Sequence, residues 1–218
     1  MHASSGRAYE PSQENTSDEV LIIAVRAAAT LKRYLSWIDL RLATNQNLVQ
    51  ILLAGLGGAS SGVGHDGEEP TQRTLLAVEC AYCLGEIVDR GMDEQKKLAL
   101  LAELNIFGTL CQLAQLEVGS GAPSVDSRHH KAAGKLDLIT MDATHIEAVA
   151  AAAELINTAG LALIQGWELD PTSQPTNMQM EQCLELVLAC LAYDSIDVSG
   201  AVVDLISRIL VSLEKKEE

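Results

Sequence analysis

Apolar residues recur along most of this chain at intervals of three and four, the spacing of one helix face. Val20, Leu21, Ile23, Ala24, Ala27, Ala28, Leu31 and Leu35 form the first such stripe. Asn45 suits the cap of a second, which carries Leu48, Ile51, Leu52 and Leu56. A third helix is expected over about 71–90, closed by Gly91 in the left-handed position with Met92 as its apolar clasp. Asp93 then caps a fourth helix running to about 116. Helices five and six are expected over about 142–167 and 177–192, and a last one runs from Asp194 or Ser195 to about 213. No segment is a strand candidate.

About seven helices joined as antiparallel hairpins predict an all-α fold, a HEAT-like solenoid built from helix pairs. The pairs are expected near 18–56, 71–117 and 142–193, with the last helix at 195–213. Two polar loops, 57–70 and 117–141, widen the spacing beyond the usual repeat. Residues 1–16 read as a disordered polar leader, 17–213 as the repeat segment and 214–218 as a solvated charged tail. A plain helical bundle is the competing architecture.

Composition agrees with helices. Apolar residues make up 48 % of the chain but aromatic ones only 3 %, and the abundant Ala and Leu have high helix propensity. Thirty acids against fifteen bases give a net charge of −15, which repels nucleic acid and anionic membrane except where bases cluster. No apolar run reaches the roughly 18 residues a bilayer requires, and the first residues lack the apolar core of a signal peptide. Membrane insertion is not expected. The glycine-rich stretch at 55–70 has neither a preceding strand nor a following Gly-Lys-Ser/Thr, so it is read as a flexible loop and not a phosphate cradle.

Candidate chemistry is sparse. Cys80-Ala-Tyr-Cys83 matches C-x-x-C in form, and a thiol oxidoreductase is the remote alternative it raises. The pair falls in mid-helix, where buried reduced thiols are the commoner state. Adjacent His129 and His130 would point about 100° apart on a helix and are poorly placed to chelate one metal. No catalytic constellation stands out, so the chain is not expected to be an enzyme or to hold a metal or cofactor. Charge, however, is segregated. From Leu136 to Ser207 there is no Lys or Arg, against eleven acids that include Glu181, Glu185, Asp194 and Asp197. Bases gather at Arg26, Lys32, Arg33 and Arg41, at Arg90, Lys96 and Lys97, and at Arg128, Lys131 and Lys135.

One corner stands apart. In "RYLSWIDLRLATNQNLVQILL", Ser36 is expected to cap a turn that starts at Trp37, with Asp39 favourable at the positive end of the next helix. Trp37 is expected to pack between hairpins with its N–H satisfied. This block, with Cys83 to Leu98 ("CLGEIVDRGMDEQKKL") some 40 residues on, resembles the karyopherin-β family of nuclear transport receptors, on its branch that exports transfer RNA. The proline that usually follows Gly-Met-Asp is Glu94 here, a substitution the first turn of a helix tolerates. Likeness is good over about 17–117 and thinner from 142 to 213. The family is several times longer than this chain, so the resemblance implies a central segment.

What it implies is binding and not catalysis. With Ran in its GTP form, such a receptor carries transfer RNA through the pore from nucleus to cytoplasm, shuttling past nucleoporins. Lys32, Arg33, Lys96 and Lys97 are then the expected phosphate contacts. Glu181, Glu185, Asp194 and Asp197 are the expected face for a basic protein such as Ran. A protein-cargo karyopherin or a general HEAT scaffold is the alternative.

Overall fold

The structure, a computed structural model, describes residues 13–57, 72–90, 92–114 and 146–217. Expectations for the first twelve residues, most of both polar loops, Gly91 and the bases and histidines at 128–135 lie outside them. Ten helices are found among the described residues: α1 (Gln13–Leu35), α2 (Leu40–Ala43), α3 (Gln46–Gly57), α4 (Gln72–Asp89), α5 (Glu94–Leu104), α6 (Ile106–Leu113), α7 (Ile146–Leu169), α8 (Gln174–Leu191), α9 (Ile196–Ala201) and α10 (Val203–Glu217).

The excess over seven has local causes. Asn105 takes a left-handed backbone, φ 46°, and its N–H donates back to Leu101 and Ala102. Asparagine tolerates that conformation better than other non-glycine residues. The expected fourth helix therefore breaks into α5 and α6. Gly108 permits the break, because a Cβ there would fall 2.4 Å from the Asn105 side-chain oxygen. The last helix breaks likewise at Val202, and α2 adds one short turn inside the corner. Both outer boundaries also move. Helix α1 begins within the expected leader and α10 runs into the expected tail, since extending an existing helix costs far less than nucleating one.

Packing is by two rows. Helices α1, α4 and α7, followed by α9 and α10, stack in sequence, each on the next. Beside them α3 rests on α4, α5 on α7, α6 on α8 and α8 on α7. This is an all-α arrangement compatible with a helical solenoid, and one apolar core runs through it from Leu35 to Leu205.

Helix α7 is its centre. Ala148, Ala152, Ala159 and Ala162 keep its surface thin, and Gly160 and Gly166 admit Leu205 and Leu98 where a Cβ would sit within 2.5 Å of them. By length and composition it is the one described helix able to cross a bilayer, but most of its apolar stretch is buried under neighbouring helices. It is a core helix.

Candidate interaction site

The 33–39 corner is not built as its local sequence suggests. Asp39, not Ser36, does the capping: its carboxylate accepts from the Arg41 N–H at 2.8 Å, at the start of α2. A carboxylate one residue before the helix engages the exposed N–H groups better than a hydroxyl three residues further back. Trp37 is 85 % exposed, which overturns its expected packing role. The backbone turns at Tyr34, whose carbonyl accepts from both Trp37 and Ile38, and leaves the indole pointing away from the core.

What holds the corner is Arg90. Its guanidinium donates to the carbonyls of Leu35 at 2.7 Å and Ile38 at 2.6 Å, across more than fifty residues of sequence. Charged donors of this kind satisfy carbonyls that the end of α1 leaves without intrahelical partners. Arg90 thus belongs to the structure and not to a surface cluster. It also joins the two sequence blocks that resemble one family, since it lies inside the second and grips the first.

The expected phosphate contacts separate in the same way. Lys32 is committed: its ammonium lies 2.7 Å from the Glu79 carboxylate and 4.8 Å from the centre of the Tyr82 ring. Both side chains are half-buried between α1 and α4, which turns the ammonium toward this acid. Arg33 and Lys96 are exposed and Lys97 half-exposed, and none has an ion pair among the described residues. Arg33 closes α1 and the two lysines open α5. Asp93 caps that helix, accepting from Gln95 at 3.1 Å and Lys96 at 3.4 Å, and half-buried Met92 packs on the core. Asn45 similarly accepts from Asn47 at 3.0 Å ahead of α3.

Acids occupy other surfaces. Glu181 and Glu185 are exposed one turn apart on α8, and Asp194 and Asp197 are exposed at the turn into α9. Glu86, Asp89 and Glu154 line a shallow cleft of about 160 Å³ between α4 and α7. Tyr82 shares it, and burial, then the Glu154 charge, raises its hydroxyl pKa. That cleft repels phosphate.

The thiol alternative fails on electrostatics. All five cysteines are buried and free. Burial, reinforced by Glu79, pushes Cys80 up to about 11, and burial followed by Cys80 pushes Cys83 up to about 12. The Cys83 thiol points at the Ala28 carbonyl, 3.4 Å away. A nucleophilic thiol needs a lowered pKa and access, and this pair has neither. Among the described residues, no three His, Cys, Asp or Glu side chains converge as metal ligands.

No family model matches the chain. It is 27 % identical to Exportin-T of Mus musculus over 194 residues, covering 86 % of this chain and 16 % of that protein. To Exportin-T of Homo sapiens it is 27 % identical over 176 residues, 78 % of this chain and 14 % of the relative. The chain resembles a segment of Exportin-T. It spans about a sixth of the length of these curated relatives, and both sequence blocks at the corner fall in a chain that aligns along most of its length. Two residues of that corner escaped sequence reading. Neither the grip of Arg90 nor the ion pair of Lys32 has a local signal, since each joins the end of α1 to the distant α4 segment.

Proposed function

We propose that this chain is a segment of a nuclear export receptor that, with Ran in its GTP form, binds transfer RNA and carries it from nucleus to cytoplasm past nucleoporins. The observation that carries the reading is the 27 % identity to Exportin-T along 86 % of the chain, and the Arg90 bridge supports it by joining the two sequence blocks that resemble the family. Arg33, Lys96 and Lys97 are its phosphate contacts, reading backbone charge and shape as structured RNA is usually read. Lys32 is removed from that set by Glu79. Glu181, Glu185, Asp194 and Asp197 face a basic protein partner, Ran in this reading.

The test is a chimera in which this chain replaces the matched segment of mouse Exportin-T. Ran-GTP-dependent binding of labelled transfer RNA should persist, and loss of that binding in a folded chimera would contradict the reading. A protein-interaction scaffold is the second reading, favoured by the charge of −15. A basic protein that binds the chimera while transfer RNA does not would establish it instead.

A further inference from the structure

Two successive grooves of the main helix row share their chemistry and differ in one respect. Where α1 meets α4, the Lys32 ammonium lies 2.7 Å from the Glu79 carboxylate and 4.8 Å from the centre of the Tyr82 ring. Where α4 meets α7, Tyr82 borders the cleft of about 160 Å³ whose charged walls are Glu86, Asp89 and Glu154. No base lines it. Arg73, in the first turn of α4, is the one base on either helix, and Arg90, just past α4, is turned to the Leu35 and Ile38 carbonyls. Glu79 and Glu168 on these helices have basic partners, whereas the three acids of the cleft have none among the described residues. Both walls are interior, α4 lying between α1 and α7, and α7 between α4 and the α9–α10 pair.

The cleft is rich in acceptors. The Thr158 hydroxyl donates to the Glu154 carbonyl at 3.0 Å, so its oxygen has only lone pairs left to offer. Among the described residues no three acidic side chains converge as metal ligands, so a single small ion does not satisfy these carboxylates together. The volume of about 160 Å³ is also well below the roughly 300 to 1,000 Å³ of small-molecule sites. It is the size of a side chain. Ala81, Ala151 and Leu155 give it an apolar lining. Gly85 opens it: a Cβ there would meet nothing within 4 Å, so this mid-helix glycine weakens α4 without serving any close packing.

We infer that the cleft receives an arginine side chain presented by a basic segment of a protein partner. A guanidinium brings donors alone, spans separated carboxylates with its planar fork and stacks on aromatic rings. Its methylene stem covers apolar lining. The neighbouring groove already joins a cation to an acid and to this same tyrosine ring within the molecule. The site stands apart from the acids of α8 and α9 and does not depend on the transport reading.

Nuclear magnetic resonance of the full 218-residue chain, titrated with N-acetyl-arginine amide, tests it. The amides of Gly85, Glu86 and Thr158 should shift and saturate, and N-acetyl-citrulline amide, alike in shape but uncharged, should leave them unmoved. Glu154→Gln should weaken binding roughly tenfold, as loss of a charged hydrogen-bond partner does. Gly85→Leu keeps every charge, favours the helix and fills the cleft, so it should abolish the shifts in a chain that is folded by circular dichroism. Equal shifts with citrulline, shifts at Glu181 and Glu185 as large as those at Gly85, or undiminished binding by either variant would overturn the inference. So would shifts that appear only after Arg128, Lys131 and Lys135 are replaced by Ala, since the cleft would then belong to the chain's own bases.

Discussion

The two tryptophans of this chain sit at two helix corners, and the corners are held in opposite ways. Trp167, at the end of α7, is partly buried, and its indole N–H donates to the Asn177 side chain at 2.9 Å. Asn177 reaches back to the Pro171 carbonyl at 3.3 Å, while Asp170 accepts from the N–H and hydroxyl of Thr172 at 3.1 and 2.7 Å. Those hydroxyl and backbone hydrogen bonds lower the Asp170 pKa. These partners of Trp167, Asn177 and Asp170 all lie within about ten residues, and Glu168 beside them is tied in addition to Arg208 and Ser212 of α10. Trp37 has no such support. Its corner is fixed by Arg90, because α1 and α3 both lie against α4 and the chain between them must follow the α4 surface. A corner stitched locally can use its aromatic ring as cement. A corner clamped from a distant helix can leave the ring in solvent.

Both regions share a core containing thiols, and alkali should expose it with the largest effect. Each cysteine is raised from about 9 in the unfolded chain to about 11 or 12 in the fold, by burial first in every case. Above pH 9 the unfolded state therefore binds fewer protons than the native one, so stability falls as pH rises from there toward 12, and it is unaffected by these groups below 9. Urea midpoints measured at stepwise higher pH should drop steeply in that window. A Cys→Ser set that removes none of the slope would assign it elsewhere.

Next in size is Arg90→Met, which breaks the first corner and spares the second. It leaves the Leu35 and Ile38 carbonyls without their charged donor, at about 3 kcal/mol. Chemical denaturation should register that loss, and equal stability of the variant would show that water replaces the guanidinium freely. Trp167→Phe is smaller, about 1 to 2 kcal/mol, because it keeps one aromatic ring but loses the pyrrole half of a partly buried indole with its hydrogen bond. If Asn177→Ala costs nothing further in the Phe background, the pair is the whole effect. Smallest of all is Trp37→Ala, within about 0.5 kcal/mol, as for any exposed site without a special role. A thermal shift of several degrees would return Trp37 to the core.

These contrasts explain what was legible in the sequence. Helix existence followed from the apolar period, and the caps at Asn45 and Asp93 followed from residue type, since both depend on neighbours a few positions away. The break at Asn105 was readable only as a polar residue in an apolar run; its left-handed backbone depends on Gly108 making room. The fate of Trp37 and Lys32 was not legible. Each is decided by a residue on or just past α4, Glu79 or Arg90, and a partner so distant in sequence leaves no trace in local periodicity. Trp167, partly buried with its N–H satisfied, fulfils the role expected of Trp37.

Charge divides the molecule along the same line. The first half keeps Arg33, Lys96 and Lys97 open to solvent, and the second half shows acids alone between 146 and 207. The most direct measurement is the salt dependence of transfer RNA binding by the Exportin-T chimera, with and without Arg33→Ala, Lys96→Ala and Lys97→Ala. Each lost phosphate contact should flatten the log–log slope by roughly 0.7 to 0.9. The triple variant should therefore bind more weakly with a slope lower by about 2 to 3. Lys32→Ala alone should leave the slope unchanged and lower only stability. A triple variant that keeps its affinity and its slope would contradict the assignment of RNA contact to the first half of this chain.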